Sequence, residues 1–206
     1  MKTVVFGLLV FFMSIGGTCR KSDCSQTDYT FEAFYKAYPD NDSIRIGDTI
    51  WLELNSPTQL KNLINGQIID YSGAENLGTA IGYGELLGGD MLNPGGIPAA
   101  NSFDNVLRAG VLSSTDKPEQ VRVYRFKEEN GKYLFKLGII PKKKGTFIIA
   151  PGNAANVYRK SDKCSKAGFN LTFENTNQHL YLYEQKRPGY VLSDYDRGHI
   201  YAFKVY

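Results

Sequence analysis

The sequence predicts an all-β protein, an antiparallel β-sandwich with a long Gly-rich loop. Three observations predict it. Short runs that alternate apolar and polar residues recur about seven times, with turn residues between them. No apolar pattern of helical period is long enough to build βαβ units. Aromatic residues are plentiful, with 14 Tyr, 12 Phe and the single Trp51, as suits strands.

Thr30 to Tyr38 comes first. Phe31, Phe34, Tyr35 and Tyr38 share one face at helical spacing, and Pro39 would end such a helix. Aromatics also suit an extended lead-in, so the segment reads as extended or as a single helical turn. Ser43 to Asn55 reads as a strand pair. Ile44 and Ile46 alternate with Arg45, Gly47-Asp48 breaks the run, and Ile50, Leu52 and Leu54 share one face opposite Trp51 and Glu53. Leu63 to Tyr71 reads as a further strand broken by Gly66.

Leu77 to Asn101 holds seven glycines (78, 82, 84, 88, 89, 95 and 96) with Pro94 and Pro98, so no element of ordinary length fits it. A loop this long inside a compact domain is functional or mobile. Tyr83, Gly84 and Asn93 are therefore the candidate binding residues, against the plainer alternative of an irregular insert without a ligand.

Phe103 to Leu112 reads as a strand. Gln120 to Phe126 and Lys132 to Ile140 alternate more strictly, and Asn130-Gly131 between them supplies the positive φ values of a tight turn, so the two read as a hairpin. Pro141 to Gly145 then turns the chain into Thr146 to Ala150, completing a three-stranded meander. Phe169, Leu171 and Phe173 alternate with polar residues, Asn175-Thr176-Asn177 turns the chain, and His179 to Tyr183 returns as a strand. Gly198 to Tyr206 ends the chain as a strand with Tyr201, Phe203 and Val205 on one face.

The N-terminus has a different character. Met1-Lys2 precedes an apolar run from Val4 to Met13, the length of a signal-peptide core and shorter than the roughly 20 residues that cross a bilayer. Small residues follow, and Gly16-Gly17-Thr18-Cys19 resembles the lipobox of a bacterial lipoprotein signal in the looser form of some gut-dwelling groups. The resemblance implies cleavage before Cys19 and acylation of its thiol, with plain secretion as the alternative. Arg20 rather than Asp follows the cysteine, which favours the outer membrane; periplasm-facing and surface-facing placements both stay open. The expected organisation is a signal peptide over 1–18, a polar tether over 19–27 and one sandwich domain over 28–206.

Three cysteines in an exported chain ask for an explanation. With Cys19 acylated, Cys24 and Cys164 remain as a disulfide pair in an oxidising compartment, against two unpaired thiols as the alternative. The net charge of +3 is small, and the basic residues are not clustered as a nucleic-acid binder's would be. Lys142-Lys143-Lys144, set between Pro141 and Gly145, reads as a solvated turn rather than a site for an anionic partner.

Chemistry-bearing motifs are few. Asp194 to His199 combines two carboxylates with an imidazole, but it directly precedes the last strand and reads as a turn rather than a metal site. Neither a Gly-x-Ser-x-Gly elbow nor a phosphate-cradling loop is present, and Gly82-Tyr83-Gly84 lacks the context of a dinucleotide fingerprint. The sequence therefore predicts no catalytic residue, metal or cofactor.

The runs Ser43 to Leu54, Pro141 to Ile149 and Ile200 to Tyr206 resemble short stretches of uncharacterised lipoproteins of gut bacteria. The resemblance implies an immunoglobulin-like sandwich and brings no activity with it. It also implies periplasmic O-glycosylation: Asp42-Ser43-Ile44 and Asp48-Thr49-Ile50 both match the pattern Asp, Ser or Thr, aliphatic, with Ser43 the candidate. The expected function is that of a lipid-anchored, non-enzymatic binding or assembly module contacting an envelope protein or glycan. The alternative is an envelope hydrolase, whose paired carboxylates would meet only in three dimensions.

Overall fold

A computed structural model describes residues 28–88, 95–113, 116–174 and 176–206. The expected signal peptide and tether, with Cys19 and Cys24, and the candidate Asn93 lie outside the described residues.

In chain order the elements are β1 Asp28–Tyr38, β2 Ser43–Ile44, β3 Ile50–Pro57, β4 Gln59–Lys61, β5 Ile68–Asp70, β6 Ala74–Glu75, β7 Gly78–Glu85 and β8 Ile97–Pro98. After a 3-10 turn at Ala100–Ser102 come β9 Phe103–Ala109, β10 Val111–Ser113, β11 Val121–Arg125, β12 Lys127–Glu129, β13 Lys132–Pro141, β14 Gly145–Pro151, β15 Ala154–Arg159 and β16 Asp162–Phe173. Two short helices, α1 Leu180–Lys186 and α2 Asp194–His199, precede the last strand, β17 Tyr201–Val205.

The strands form two main sheets in a sandwich-like arrangement, the all-β class the sequence predicts. The first runs β12-β13-β3-β1-β16-β15-β6, with β9 also on β13; the second runs β10-β11-β7-β14-β17-β2, with β8 also on β7. Strands β4 and β5 make a separate hairpin. Two pairings depart from an antiparallel sandwich: β1 with β16, and β17 with β2, are parallel. Parallel neighbours need a long connection, and here most of the domain lies between the paired strands.

One core joins the sheets. Ile50, Leu52, Leu54, Phe135, Leu137, Ile139, Phe169 and Leu171 point in from the first sheet; Ile81, Tyr83, Phe147, Ile149, Tyr201, Phe203 and Val205 point in from the second. Rings interlock in this layer: centroids are 5.3 Å apart for Phe31 and Phe169 on neighbouring strands of the first sheet and, between the sheets, 5.4 Å for Tyr124 and Phe135 and 5.0 Å for Phe103 and Phe147. Each such side chain removed from water contributes about 1.5–3 kcal/mol.

Strand β1 settles the first ambiguity. Phe31, Ala33, Tyr35 and Ala37 are buried in strict alternation, while Phe34 stands on the opposite face. The helical spacing of the aromatics therefore has no structural counterpart. A two-residue period wins because the neighbouring strands β3 and β16 satisfy the backbone of β1 from both sides.

Several expected local pairings are instead crossings between sheets. The segments read as a strand pair over Ser43 to Asn55 are β2 in the second sheet and β3 in the first, joined by a turn at Gly47. Asn130-Gly131 does form the tight turn, with φ of 50° and 70°. The strand it returns to β13 is β12, however, and β11 belongs to the other sheet. The meander fails in the same way, since β13 and β14 lie in different sheets. Alternation marks an inward face without saying which sheet supplies it.

Three further corrections concern element type. Leu63 to Tyr71 is mostly the turn of the β4–β5 hairpin. His179 to Tyr183 is not a strand but the approach to and start of α1, and Asp194 to His199 is a helix, α2, rather than a turn. Ser193 and Asp196 cap α2 reciprocally, side chain to backbone in both directions. The helices cover the outer face of the second sheet, where Leu86, Tyr183, Leu192 and Ile200 pack with Ile148 and Ala202. Such short helices depend on tertiary packing. Strand β15, which pairs with β16, has no clear signal in the sequence.

The Gly-rich segment is the largest correction. Gly78–Glu85 is the strand β7, paired on both sides by β11 and β14 in the second sheet. Its glycines admit close backbone approach. A Cβ on Gly78 would lie 2.0 Å from the Tyr124 carbonyl oxygen, and one on Gly84 would lie 1.9 Å from that of Gly95. Among the described residues no helix is long and apolar enough to cross a membrane.

Candidate binding site

The outer face of the second sheet carries α1 and α2, whereas side chains on the outer face of the first sheet open on a groove of about 710 Å³. Strand alternation sets its lining: residues of β1 and β3 that do not enter the core face outward. Glu32, Phe34, Lys36 and Tyr38 come from β1, and Glu53, Asn55 and Pro57 from β3. Phe34 is 37% exposed, large for a Phe in a strand paired on both sides.

One end of the groove is ordered by a charged cluster. Register puts Glu53 between Lys36 on β1 and Lys136 on β13. The Tyr38 hydroxyl donates to Glu53 Oε2 at 2.6 Å, and Lys136 Nζ lies 3.1 Å from the same oxygen. That hydroxyl, then Lys136, holds the Glu53 carboxyl below its usual range. Burial first, and then the carboxylate, push the Tyr38 phenol up. Lys136 Nζ also sits 5.4 Å from the Tyr38 ring centroid and 5.5 Å from that of Trp51. Trp51 stands opposite Gly138, where a Cβ would come within 3.0 Å of the indole. The missing side chain gives the ring its seat.

The structure distributes the sequence-predicted residues differently. Tyr83 is 2% exposed and lies in β7, so its ring faces the core, and burial pushes its phenol well above the ordinary value. Gly84 is buried in the same strand. Neither belongs to a loop that presents itself to a partner, and Asn93 lies outside the described residues. Ser43 is half-buried on the edge strand β2, and its hydroxyl donates to Asp42 at 2.9 Å. Asp42 also accepts from the Tyr181 hydroxyl, and these two contacts, Tyr181 first, hold its carboxyl low.

Cys164 is half-buried at the start of β16, and its backbone N–H donates to Asp162 Oδ1 at 2.9 Å. Its expected partner Cys24 is outside the described residues. Lys142 pairs with Asp104 at 3.1 Å and Lys143 with Glu85 at 2.7 Å, so the lysine run is partly neutralised within the fold.

The two histidines serve separate neighbourhoods. His179 is buried beside Asp40, 3.4 Å away, at the cleft that holds Asp42 and Tyr181. His199 Nδ1 lies 2.6 Å from the Tyr195 carbonyl oxygen and Nε2 lies 2.8 Å from Asn153 Oδ1, with the Tyr195 ring stacked on the imidazole. Asp196 is committed to capping α2. Among the described residues no group of three or more His, Cys, Asp or Glu side chains could hold a metal ion.

Sequence reasoning missed the Phe34–Glu53 face because strand membership decides it. Helical spacing would place Phe34 and Tyr38 on one side with Phe31 and Tyr35, whereas in the extended strand they lie on the opposite side from them. No family model matches the chain, and neither a curated protein nor a solved structure matches it.

Proposed function

We propose that this is an exported, lipid-anchored cell-envelope protein that binds a glycan through the outer face of its first sheet without transforming it. Acylated Cys19 holds it to the outer membrane, the stretch to Asp28 serves as tether, and a Cys24–Cys164 disulfide fastens that stretch to β16. O-glycosylation of Ser43 and an immunoglobulin-like kinship belong to the same proposal.

The observation that carries the binding reading is the groove. It joins Phe34 and the Tyr38 ring to Lys36, Glu53 and Asn55. Sugar rings present an apolar face and a polar edge, so a ligand of that kind uses both halves of such a lining. The Tyr38–Glu53–Lys136 cluster holds polar groups in place before a ligand arrives, which lowers the ordering cost of binding.

Trp51, the only tryptophan, stands beside this cluster and reports on it. Its emission, followed by calorimetry, is measured while muropeptides and neutral and acidic oligosaccharides are added to the mature protein. Saturable binding is expected for at least one class, weakened about tenfold in Phe34→Ala, the loss of an apolar anchor. No response to any saccharide, or equal binding by Phe34→Ala, overturns the reading.

A further inference from the structure

A second cleft, of about 420 Å³, opens where β9 and β10 part. These strands are separated only by Gly110, whose φ is 108°, yet β9 pairs in the first sheet and β10 in the second. The sheets diverge at this edge and leave a wedge between them. Phe103, Leu107, Leu112 and Leu137 supply its apolar walls.

The polar groups in this wedge are unusual. Asn105 Nδ2, Arg122 Nε and the Tyr124 hydroxyl are all buried and, among the described residues, make no hydrogen bond that meets ordinary geometry. All three residues line this one cleft. Tyr124 is 2% exposed, and its hydroxyl has that of Tyr83 as a neighbour. Tyr83 in turn points its own hydroxyl at Asn105 Oδ1, 3.5 Å away, and that contact orients the amide. Among the described residues Arg122 has no ion-pair partner, and its Nη2 has only a long contact of 3.4 Å to the Ala100 carbonyl. The nearby carboxylate of Asp104 is taken by Lys142 at the rim.

Buried donors without acceptors are rare in folded proteins, and their occurrence together calls for an acceptor that the described residues do not supply. Two of the three groups are donors only, one is cationic, and the hydroxyl can donate as well. A carboxylate offers two oxygens to a guanidinium and keeps a lone pair for the amide. We propose that this wedge binds a carboxylate carried on an apolar body, the carboxylate held by Arg122, Asn105 and Tyr124 and the body against Leu107 and Leu112. A free organic acid and the C-terminus of a peptide share that chemistry. The site is independent of the glycan groove.

The test uses the mature protein and two pairs of probes: 4-phenylbutyrate with its primary amide, and a short apolar peptide with a free or an amidated C-terminus. Binding is followed by calorimetry. At least one acid is expected to bind about tenfold or more tighter than its neutral partner, as a charge-assisted contact requires. That preference is expected to vanish in Arg122→Gln and to persist in Lys142→Gln. Preference for the peptide acid alone marks a peptide terminus as the source; preference for phenylbutyrate marks a free acid. Equal binding of acid and amide, binding of none of the four, or a preference that survives in folded Arg122→Gln overturns the proposal. Should that variant not fold, the acid–amide comparison on the unaltered protein decides alone.

Discussion

Replacing Gly78 by Ala tests the packing of the second sheet where β7 and β11 approach closely. The added methyl would lie 2.0 Å from the Tyr124 carbonyl oxygen, 2.8 Å from Arg125 Cα and 2.9 Å from the Tyr124 carbonyl carbon. All three are backbone atoms of β11, the strand paired with β7. A side chain can rotate away from a clash; a paired strand has to separate. Overpacking costs about 1–3 kcal/mol where neighbours yield, so about 3 kcal/mol is expected here. For a domain of this size that lowers the unfolding midpoint by roughly 6–12 °C. Gly168→Ala is the matched control. It too lies in a strand, its φ is outside the left-handed region, and nothing lies within 4 Å of the new methyl. Restricting the unfolded chain there should add about 0.5 kcal/mol. The assay is urea and thermal unfolding followed by Trp51 emission. A Gly78→Ala protein as stable as the original, or a Gly168→Ala protein that loses as much, would refute the reasoning.

Other expectations follow from the core and from ionised groups. Phe169→Ala removes a ring packed against Phe31 and Tyr71 and should cost about 3–5 kcal/mol in urea unfolding. The Asp162 carboxyl is held at about 2 by the Ser165 hydroxyl first, then by the Cys164 and Ser165 backbone N–H groups and Arg159. Its folded value lies below its unfolded one, so its contribution is complete above about pH 4 and fades as the pH falls through about 2. Asp162→Asn should therefore lose less stability than the unaltered protein between those values. Reducing the proposed Cys24–Cys164 bond should lower stability by roughly 4–5 kcal/mol, read as a drop in the urea midpoint.

Several strand faces were legible in the sequence: Ile50, Leu52 and Leu54, then Tyr133, Phe135, Leu137 and Ile139, and then Tyr201, Phe203 and Val205 all point inward as expected, whereas in β11 the buried residue is Tyr124 rather than Val121 or Val123. The partner of each face was not. Val121–Arg125 and Lys132–Pro141 flank a hairpin turn, yet they lie in opposite sheets because the chain crosses the core near Phe126. A local pattern carries no information about such a crossing. Glycine misled for a related reason. In β7 it answers to the backbone of β11 and to that of Gly95, neighbours remote in sequence or known only once the chain has folded. The groove at Phe34 depends on which way one strand faces, and the wedge at Arg122 on two sheets parting at Gly110. Neither arrangement leaves a motif in the sequence.

The functional reading rests on export and anchoring, and an intact mass of the protein extracted from its native membrane tests that most directly. The account predicts a chain beginning at Cys19 with acyl groups attached, gaining about 2 Da on reduction as one disulfide opens. A soluble product without acyl groups would contradict it, leaving Cys19 as a third thiol to be explained and the domain as a diffusible protein rather than a tethered binder.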